Sequence, residues 1–388
     1  MSRPSRLSGA PMRRLGQWDG MRGAAIGAVL VYHYLGRFPG LVPYDVPRPG
    51  LLRLGHLGVD LFFIISGFVI ARTLQSSADW REFAVRRLVR LVPAMAVCSV
   101  LTFLVVHAID TPFTQVRRTG LSGFLPSLTF TDPALWRPFW PGAAYIDTVY
   151  WSLFTEVRFY AWSAAIYFVG GRVHFVRNVA LGGCAVLALL ALDRLAFGRG
   201  WGTGLSGGVA GWLFFPRHLP LLCFGVVLQG LQRAQGWASR WEHAGYGAVF
   251  AAVAVMQAAR EGAAEAVVTL VIVGALTRLA MQPHAMRWLG CPALVGIGLS
   301  SYPLYLLHQN IGLALISALP RGLDSGAYCL LLGALAAAMG GLAIAVHQGV
   351  ERPCQAWFKL RQRRRRRAGG QKDGPVPATI DSRGELVA

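Results

Sequence analysis

The sequence predicts an all-α protein, a polytopic transmembrane helical bundle with about ten spanning helices and both termini in the cytoplasm. Three observations lead to this prediction. Hydrophobic residues make up 54% of the 388 residues and charged residues only 14%, and the mean hydropathy is +0.45. Apolar runs of spanning length are distributed along the whole chain. Arginine and lysine are concentrated in alternate connections between these runs.

The spanning segments are predicted from length, because a helix that crosses a bilayer needs about 20 mostly apolar residues. The ninth candidate carries Pro303, which predicts a kink at that residue. No small-x-small cleavage site follows the first run, so we interpret it as a retained helix rather than a signal peptide. The ten candidates are 22–38, 57–75, 91–108, 148–169, 178–195, 215–232, 243–260, 264–281, 292–318 and 326–349.

Charge placement predicts the orientation of these helices. With the N-terminus inside, inside segments hold 26 Lys and Arg residues and outside loops hold 11, which favours cytoplasmic termini. The chain then divides into a cytoplasmic N-terminal segment at 1–21, a transmembrane domain at 22–350 and a basic, partly disordered cytoplasmic tail at 351–388. The tail contains RQRRRRR at 361–367, which would also bind anionic lipid.

Composition and motifs exclude several classes of function. The net charge of +20 could indicate nucleic-acid binding, but the basic residues lie between apolar runs and in the tail, so no nucleic-acid partner is expected. The six cysteines include no C-x-x-C pair, so neither disulfides nor a thiolate metal site are expected. The chain has no H-E-x-x-H, Walker or G-x-S-x-G motif, so no metal and no bound cofactor are expected.

Polar residues at membrane depth are costly and are therefore candidates for function. The stretch RGAAIGAVLVYHYLG places Arg22 and His33 on one helical face, about 16 Å apart along the axis. A ligand with an anionic head near the cytosol and a reactive end deeper in the membrane would suit this pair. Alternatively, Arg22 is a positive-inside anchor and His33 a histidine that bridges helices. Gly23 and Gly27 predict a face that a neighbouring helix can approach closely.

Two further motifs interrupt the next apolar runs. In GVDLFFIISGFVIAR, Asp60 is expected to cap its helix and Ser66 to hydrogen-bond to its own backbone. In RRLVRLVPA, three guanidiniums lie on a helical approach to the membrane, where they either bind phosphates or anchor the helix. These are Arg86, Arg87 and Arg90.

The segment YWSLFTEVRFYAW carries a polar stripe at a spacing of four residues, Ser152, Glu156 and Tyr160. A carboxylate in a spanning helix needs a partner, which we expect on another helix. A histidine is one candidate, because a His–carboxylate pair can act as a general base. The alternative for Glu156 is a buried ion pair.

The last polar group is SSYPLYLLHQN, in which Ser301, Tyr305 and His308 share a face. The following GVERP places Glu351 and Arg352 at the cytoplasmic end of the last helix. Each of these residues is ambiguous when considered alone.

Taken in order, these motifs resemble the acyltransferase 3 family of integral membrane O-acyltransferases, over about residues 15–360. The matching features are the DG-x-R start followed by a histidine, GVDLFFIISGF, RRLVRLVPA, WSLFTE, SYPLYLLH and ERP. The resemblance implies transfer of an acyl group, often acetyl, from acyl-CoA to a hydroxyl on a carbohydrate or natural product. Acyl-CoA is then a co-substrate rather than a bound cofactor.

The resemblance also implies roles for single residues. His33 matches the catalytic histidine, Arg22 its paired arginine, and Glu156 the acidic residue of the W-S-L-x-x-E motif. Whether His33 is a general base or forms an acyl intermediate stays open. Arg86, Arg87 and Arg90 match the acyl-CoA-binding basic cluster. Residues 156–158 read EVR where many members have two consecutive acidic residues, and Met21 stands where leucine is common. The supporting candidates are Ser66, Ser152, Tyr305, His308, Glu351 and Arg352.

The acceptor is predicted less directly. Arginine outnumbers lysine 36 to 2, which indicates a GC-rich bacterial genome, and we therefore expect a macrolide-type antibiotic as acceptor and the plasma membrane as location. The first alternative is O-acetylation of a surface or exported carbohydrate. A transporter of the sugar or antibiotic is an alternative from another class, although the inverted repeats typical of transporters are not visible in the sequence.

Overall fold

The described part of the chain is built almost entirely of helices. The computed structural model describes residues 16–38, 50–197, 209–320, 322–368, 379–380 and 386–387. The N-terminal segment up to residue 15 and most of the polar tail after residue 368 lie outside the described residues, as does the predicted disorder of that tail. Two short strands, Thr379–Ile380 and Leu386–Val387, pair antiparallel, and every other regular element described is helical. The all-α prediction is confirmed.

The principal helices follow the predicted spans in chain order. Tyr32–Arg37 continues the first helix as a π-helical turn, and Gly50–Leu57 is a 3-10 segment that leads into the second. The helices are α1 Gly16–Val31, α2 Gly58–Gln75, α3 Trp80–Ala108, α4 Pro112–Gln115, α5 Phe124–Thr129, α6 Trp151–Phe168, α7 Phe175–Phe197, α8 Val209–Phe214, α9 Leu219–Arg233, α10 Trp237–Ala259, α11 Ala263–Met281, α12 Pro292–Leu299, α13 Ser301–Ser317, α14 Ser325–Val346 and α15 Arg352–Ala368.

Each of the ten predicted spans coincides with helix, but within the described residues only six helical segments are both long and apolar enough to cross a membrane. Polar groups such as Asp19 and Arg22 in α1, and Glu156 and Arg158 in α6, lower the hydropathy of other helices. The chain is a multi-pass membrane protein, and the number ten stays a prediction. The six segments are Gly50–Gln75, Trp80–Ala108, Phe175–Ala196, Trp212–Arg233, Ala263–Met281 and Ser325–Gln362.

The bundle has two chemically different ends. The tail end holds the start of α1 and of α3 together with α15, and the Gln362 amide donates to Glu82 there at 3.2 Å. The loop end holds the connection 109–150, where the Thr111 and Ser317 hydroxyls lie 2.8 Å apart. The orientation prediction places the tail end in the cytoplasm.

Glycines allow two helix crossings with direct backbone contact. A Cβ on Gly67 of α2 would lie 2.0 Å from the carbonyl oxygen of Leu222, and one on Gly225 of α9 would lie 2.1 Å from that of Ile64. On α1, the glycine face predicted at 23 and 27 is only half right. Gly23 contacts α12 closely, whereas no atom lies within 4 Å of a Cβ on Gly27.

The ninth predicted span is broken one turn earlier than expected. The predicted kink at Pro303 is wrong, because α12 ends at Leu299 and α13 begins at Ser301. Pro303 lies in the first turn of α13, where a backbone N–H has no helical acceptor, so its missing N–H costs nothing. Beyond this break α13 contacts α6, where the Ser152 and Tyr305 oxygens lie 2.8 Å apart.

Candidate active site

A cavity of about 350 Å³ at the tail end has seven charged residues in its lining. We call it the tail cavity. It is formed by α1, α2, α3, the end of α12, the start of α13, the turn after α14 and the first half of α15. Its cations outnumber its carboxylates, Asp19 and Glu351, so it suits an anionic ligand. The cationic residues are Arg22, Arg72, Arg87, Arg90 and Lys359.

Arg22 lies at the inner limit of this cavity. Its guanidinium donates to the carboxylate of Asp19 at 3.0 Å, and both side chains are largely buried. Asp19 belongs to the DG-x-R motif, but sequence reasoning gave it no role. The ion pair fixes the direction of Arg22, because the two residues lie one helical turn apart.

The predicted arginine cluster separates in the structure. Arg87 is buried, donates to the Thr73 hydroxyl and lies 5.3 Å from the centre of the Tyr160 ring. Arg86 points elsewhere, with hydrogen bonds to Glu82 at 2.5 Å and to the Ser76 hydroxyl at 3.1 Å. The structure therefore brings Arg22, Arg87 and Arg90 to one cavity and leaves Arg86 outside it.

The two residues predicted at the end of the last helix have different positions. Glu351 is buried, with His347 Nδ1 at 2.8 Å and the Gln355 amide at 3.0 Å from its oxygens. Arg352 is exposed and does not line the tail cavity. Glu351 thus contributes a carboxylate to the wall, whereas Arg352 stays a prediction without a contact to the site.

A narrow central cavity of about 70 Å³ continues from the tail cavity, which shares Arg22, Arg90 and two residues of α13 with it. Glu156 lies here. Its Oε1 accepts from the Ser66 hydroxyl at 2.7 Å and from the Tyr160 hydroxyl. The prediction of a partner on another helix is confirmed by Ser66 of α2, but within the described residues the partners are hydroxyl groups and not the candidate histidine. The expected backbone bond of Ser66 is wrong, because a buried carboxylate is the stronger acceptor.

The central cavity ends at a hydroxyl pair. The Ser152 and Tyr305 oxygens lie 2.8 Å apart, and the Tyr305 hydroxyl also donates to the carbonyl of Val149 at 3.1 Å. Tyr305 lines a third cavity of about 310 Å³ as well, which opens toward the loop end and contains His33. We call it the histidine cavity.

His33 is paired with a second histidine. Its Nδ1 lies 3.0 Å from the Val29 carbonyl and 3.2 Å from Nε2 of His308, whose own Nδ1 lies 2.8 Å from the Tyr305 carbonyl. A carbonyl oxygen only accepts, so in the neutral rings both Nδ1 atoms carry the proton. His308 Nε2 then accepts from His33, and His33 Nε2 is left unprotonated. That nitrogen can take a proton from a hydroxyl.

Asp147, like Asp19, is a residue that sequence reasoning missed. It is fully buried, and its oxygens accept from the Gln309 amide at 3.1 Å and from the backbone N–H of Asn310 at 2.8 Å. These bonds hold the chain next to His308. The sequence offered only an ordinary signal, an aspartate before a helix start, and Asp147 does accept from the Val149 N–H as such a residue would.

The described residues contain no group of three or more His, Cys, Asp or Glu side chains that could hold a metal ion. Among them, the arrangement offers arginines at one end, a narrow passage and an unprotonated imidazole nitrogen at the other. Such a site can bind a long anionic substrate and remove a proton from a second one.

Comparison with known proteins agrees with this chemistry. The profile of the acyltransferase 3 family, described as an acyltransferase domain, matches residues 15–346. No solved structure matches the chain significantly.

Curated relatives match a shorter part of the chain. An O-acetyltransferase OatA of Staphylococcus aureus (strain NCTC 8325 / PS 47) is 38% identical over 93 residues, which cover 22% of this chain and 13% of the relative. A putative membrane-bound transacylase, BcsY, of Komagataeibacter xylinus is 34% identical over 87 residues, covering 22% and 19% respectively. The chain thus matches less than a fifth of the length of either relative.

Proposed function

The chain belongs to the acyltransferase 3 family, and from this premise we propose that it transfers an acetyl group from acetyl-CoA to a hydroxyl group of a carbohydrate. The observation that carries the proposal is the row of cavities from Arg90 to His33. The tail and central cavities share Arg22 and Arg90, and the central and histidine cavities share Val59 and Tyr305. A thin, extended donor can therefore run between the arginines and the imidazole.

The donor half of the site suits coenzyme A. Its phosphates would bind Arg87, Arg90 and Lys359 in the tail cavity, since guanidiniums bind phosphate oxygens in pairs. The pantetheine arm would extend through the central cavity toward Tyr305. Glu156 lines the central cavity together with Arg22 and Arg90, and its oxygen is held by hydroxyls. We assign it to positioning the donor rather than to His33.

The transfer step follows from the protonation state of His33. Nε2 takes the proton from the acceptor hydroxyl, and the oxygen attacks the thioester carbonyl carbon. The new C–O bond forms as the C–S bond breaks, and the imidazolium returns the proton to the CoA thiolate. His308 accepts from Nδ1–H and so holds the ring in the reactive tautomer.

The nature of the acyl group is supported by the names of the relatives rather than by composition. The names reported above specify O-acetyl or acyl transfer, and they mention no antibiotic. The macrolide acceptor expected from arginine usage therefore has less support than its alternative, a carbohydrate. The location that accords with bacterial relatives is the cell membrane.

Orientation is part of the proposal, because acetyl-CoA is cytoplasmic. The tail end then faces the cytoplasm and the loop end faces outward, as the arginine distribution predicts. Reporter fusions after residue 388 and within 109–147 should report opposite sides of the membrane. Reporters on the same side would contradict this orientation.

The activity is tested with purified protein in lipid nanodiscs. Radiolabelled acetyl-CoA and a carbohydrate acceptor should give an O-acetylated product and free CoA in equal amounts. A transporter would instead move labelled sugar into vesicles without acetyl-CoA and form no ester. Uptake without ester formation would overturn the proposal.

A further inference from the structure

A fourth cavity lies beside the histidine cavity at the loop end. Its volume is about 590 Å³, which is within the range typical of small-molecule binding sites. Segments of α2, α6, α9 and α10 line it, together with the turns that precede α9 and follow α10. We call it the Trp151 cavity, after the indole in its wall. The donor site described above does not use it.

The Trp151 cavity adjoins the proposed base. It shares Asp60, Trp151, Arg217 and His218 with the histidine cavity, which contains His33. A molecule seated in the larger cavity can therefore extend one group past these residues to the imidazole. A donor molecule that arrives through the central cavity would enter the histidine cavity past Val59 and Tyr305, neither of which lines the Trp151 cavity.

The aromatic residues that line the Trp151 cavity are Trp151, Phe215 and His218. The indole of Trp151 is 40% exposed, and its ring centre lies 5.1 Å from that of His218. Phe215 is buried, with the Arg158 guanidinium 5.0 Å from its ring centre, so Trp151 provides the exposed ring of this cavity. Exposed flat rings give the C–H face of a sugar ring an apolar surface to stack on.

The polar groups of the cavity are held in fixed directions. Arg217 and His56 both contact Glu261, the histidine at 3.6 Å, and the Gln257 amide donates to the Pro216 carbonyl at 3.2 Å. A few oriented polar groups between aromatic surfaces are what give a binding site its specificity.

Asp60 is different, because no hydrogen bond joins its carboxylate to another described residue. It did not become the helix cap that the sequence predicted. Its position on the boundary of two cavities leaves its oxygens available to a ligand hydroxyl.

We infer that the Trp151 cavity is the acceptor subsite and binds a sugar residue, with its ring on Trp151 and a hydroxyl on Asp60. This inference rests on the proposed acetyl transfer and adds where the acceptor binds and which residues select it. The hydroxyl next to the one bound by Asp60 then points into the histidine cavity, where His33 removes its proton. A macrolactone lacks the row of adjacent hydroxyls that Asp60, Gln257 and Glu261 can bind.

The test compares two Michaelis constants in full-length protein in nanodiscs. The donor is acetyl-CoA, and the acceptors are the methyl glycosides of glucose, galactose, N-acetylglucosamine and rhamnose, with erythronolide B as a macrolactone. Trp151→Ala and the nearly isosteric Asp60→Asn should each raise the KM for the best glycoside at least tenfold. The KM for acetyl-CoA should change less than twofold. Trp237→Ala, an exposed indole that lines none of the four cavities, is the control and should change neither constant.

The outcomes separate this inference from the proposed function. If the unmodified protein acetylates a glycoside but both cavity variants keep its KM, the acceptor binds elsewhere and only the subsite assignment is lost. Acetylation of erythronolide B and of no glycoside would overturn the sugar assignment while leaving acyl transfer intact. Absence of transfer to every acceptor would overturn both. If Trp151→Ala does not fold, the nearly isosteric Asp60→Asn still tests the inference. Binding of acetyl-CoA by that variant shows that it is folded.

Discussion

Removal of the His33 imidazole tests the assignment on which the chemistry depends. His33→Ala eliminates the base, so we expect kcat to fall by about 10²–10⁴-fold. The KM for acetyl-CoA should change by less than about twofold, because the arginines of the tail cavity are untouched. The expected rate of the unmodified enzyme also falls as pH drops through the titration of this histidine, since the protonated ring cannot accept a proton.

The partner histidine should have a smaller effect whose size follows from the structure. His308 contributes one hydrogen bond to His33, at 3.2 Å. Such a bond has a net value of about 0.5–1.5 kcal/mol, which corresponds to about 2- to 13-fold in rate. His308→Ala should therefore lower kcat by about that factor. The double variant should be no slower than His33→Ala, because the partner acts only through the base.

The assay follows the release of CoA thiol and the mass of the acetylated product with purified variants in nanodiscs. His107→Ala is the matched control. Its Nδ1 contacts the carbonyl of Phe103, four residues earlier, as His33 contacts Val29, but it lies on the exposed side of α3. It should keep normal kinetics. A His33→Ala enzyme within about tenfold of normal kcat would refute the base assignment.

Three further predictions follow from contacts in the bundle. Arg90→Ala should raise the KM for acetyl-CoA by about 10-fold or more. Arg86 lies outside the tail cavity, so Arg86→Ala should change this KM by less than about twofold. Equal effects of the two substitutions in titrations with acetyl-CoA would contradict the division of the arginine cluster. Asp147→Ala leaves buried N–H donors unsatisfied and should destabilise the protein by about 2–5 kcal/mol, seen as a lower Tm in detergent, while an unchanged Tm would show that these bonds are dispensable. Gly67→Ala should lower the Tm strongly and Gly27→Ala should not, because only the former places a Cβ against backbone; similar Tm values would contradict the crossing geometry.

Some of the architecture could be predicted from the chain alone because lipid leaves few choices. A backbone in hydrocarbon must satisfy its own hydrogen bonds, so each apolar run of spanning length becomes a helix, and every predicted span coincides with one. The same physics marked the polar residues at membrane depth, and His33, Glu156, Arg22 and Arg90 all line the row of cavities. A local sequence pattern is sufficient to predict a helix where leaving backbone groups unsatisfied in lipid would cost much free energy.

The hydrogen-bond partners of the polar residues were determined only by the tertiary structure. His33 and His308 are 275 positions apart, and Ser66 and Glu156 are 90 apart, so no periodicity relates them. Asp147 had a complete local explanation as a helix-start residue, whereas its bond from the backbone N–H of Asn310 depends on how the connection before α6 packs against α13.

The sequence also could not predict which of two residues on the same face of a helix contacts the interior of the bundle. Arg86 and Arg90 are four residues apart, and only Arg90 lines the tail cavity. Gly23 and Gly27 are also four apart, and only Gly23 lies against a neighbouring helix. Helical spacing assigns such residues to a common face, but the tilt and curvature of the helix against its neighbours select between them. Packing of the whole bundle therefore determined which polar groups meet in the candidate site.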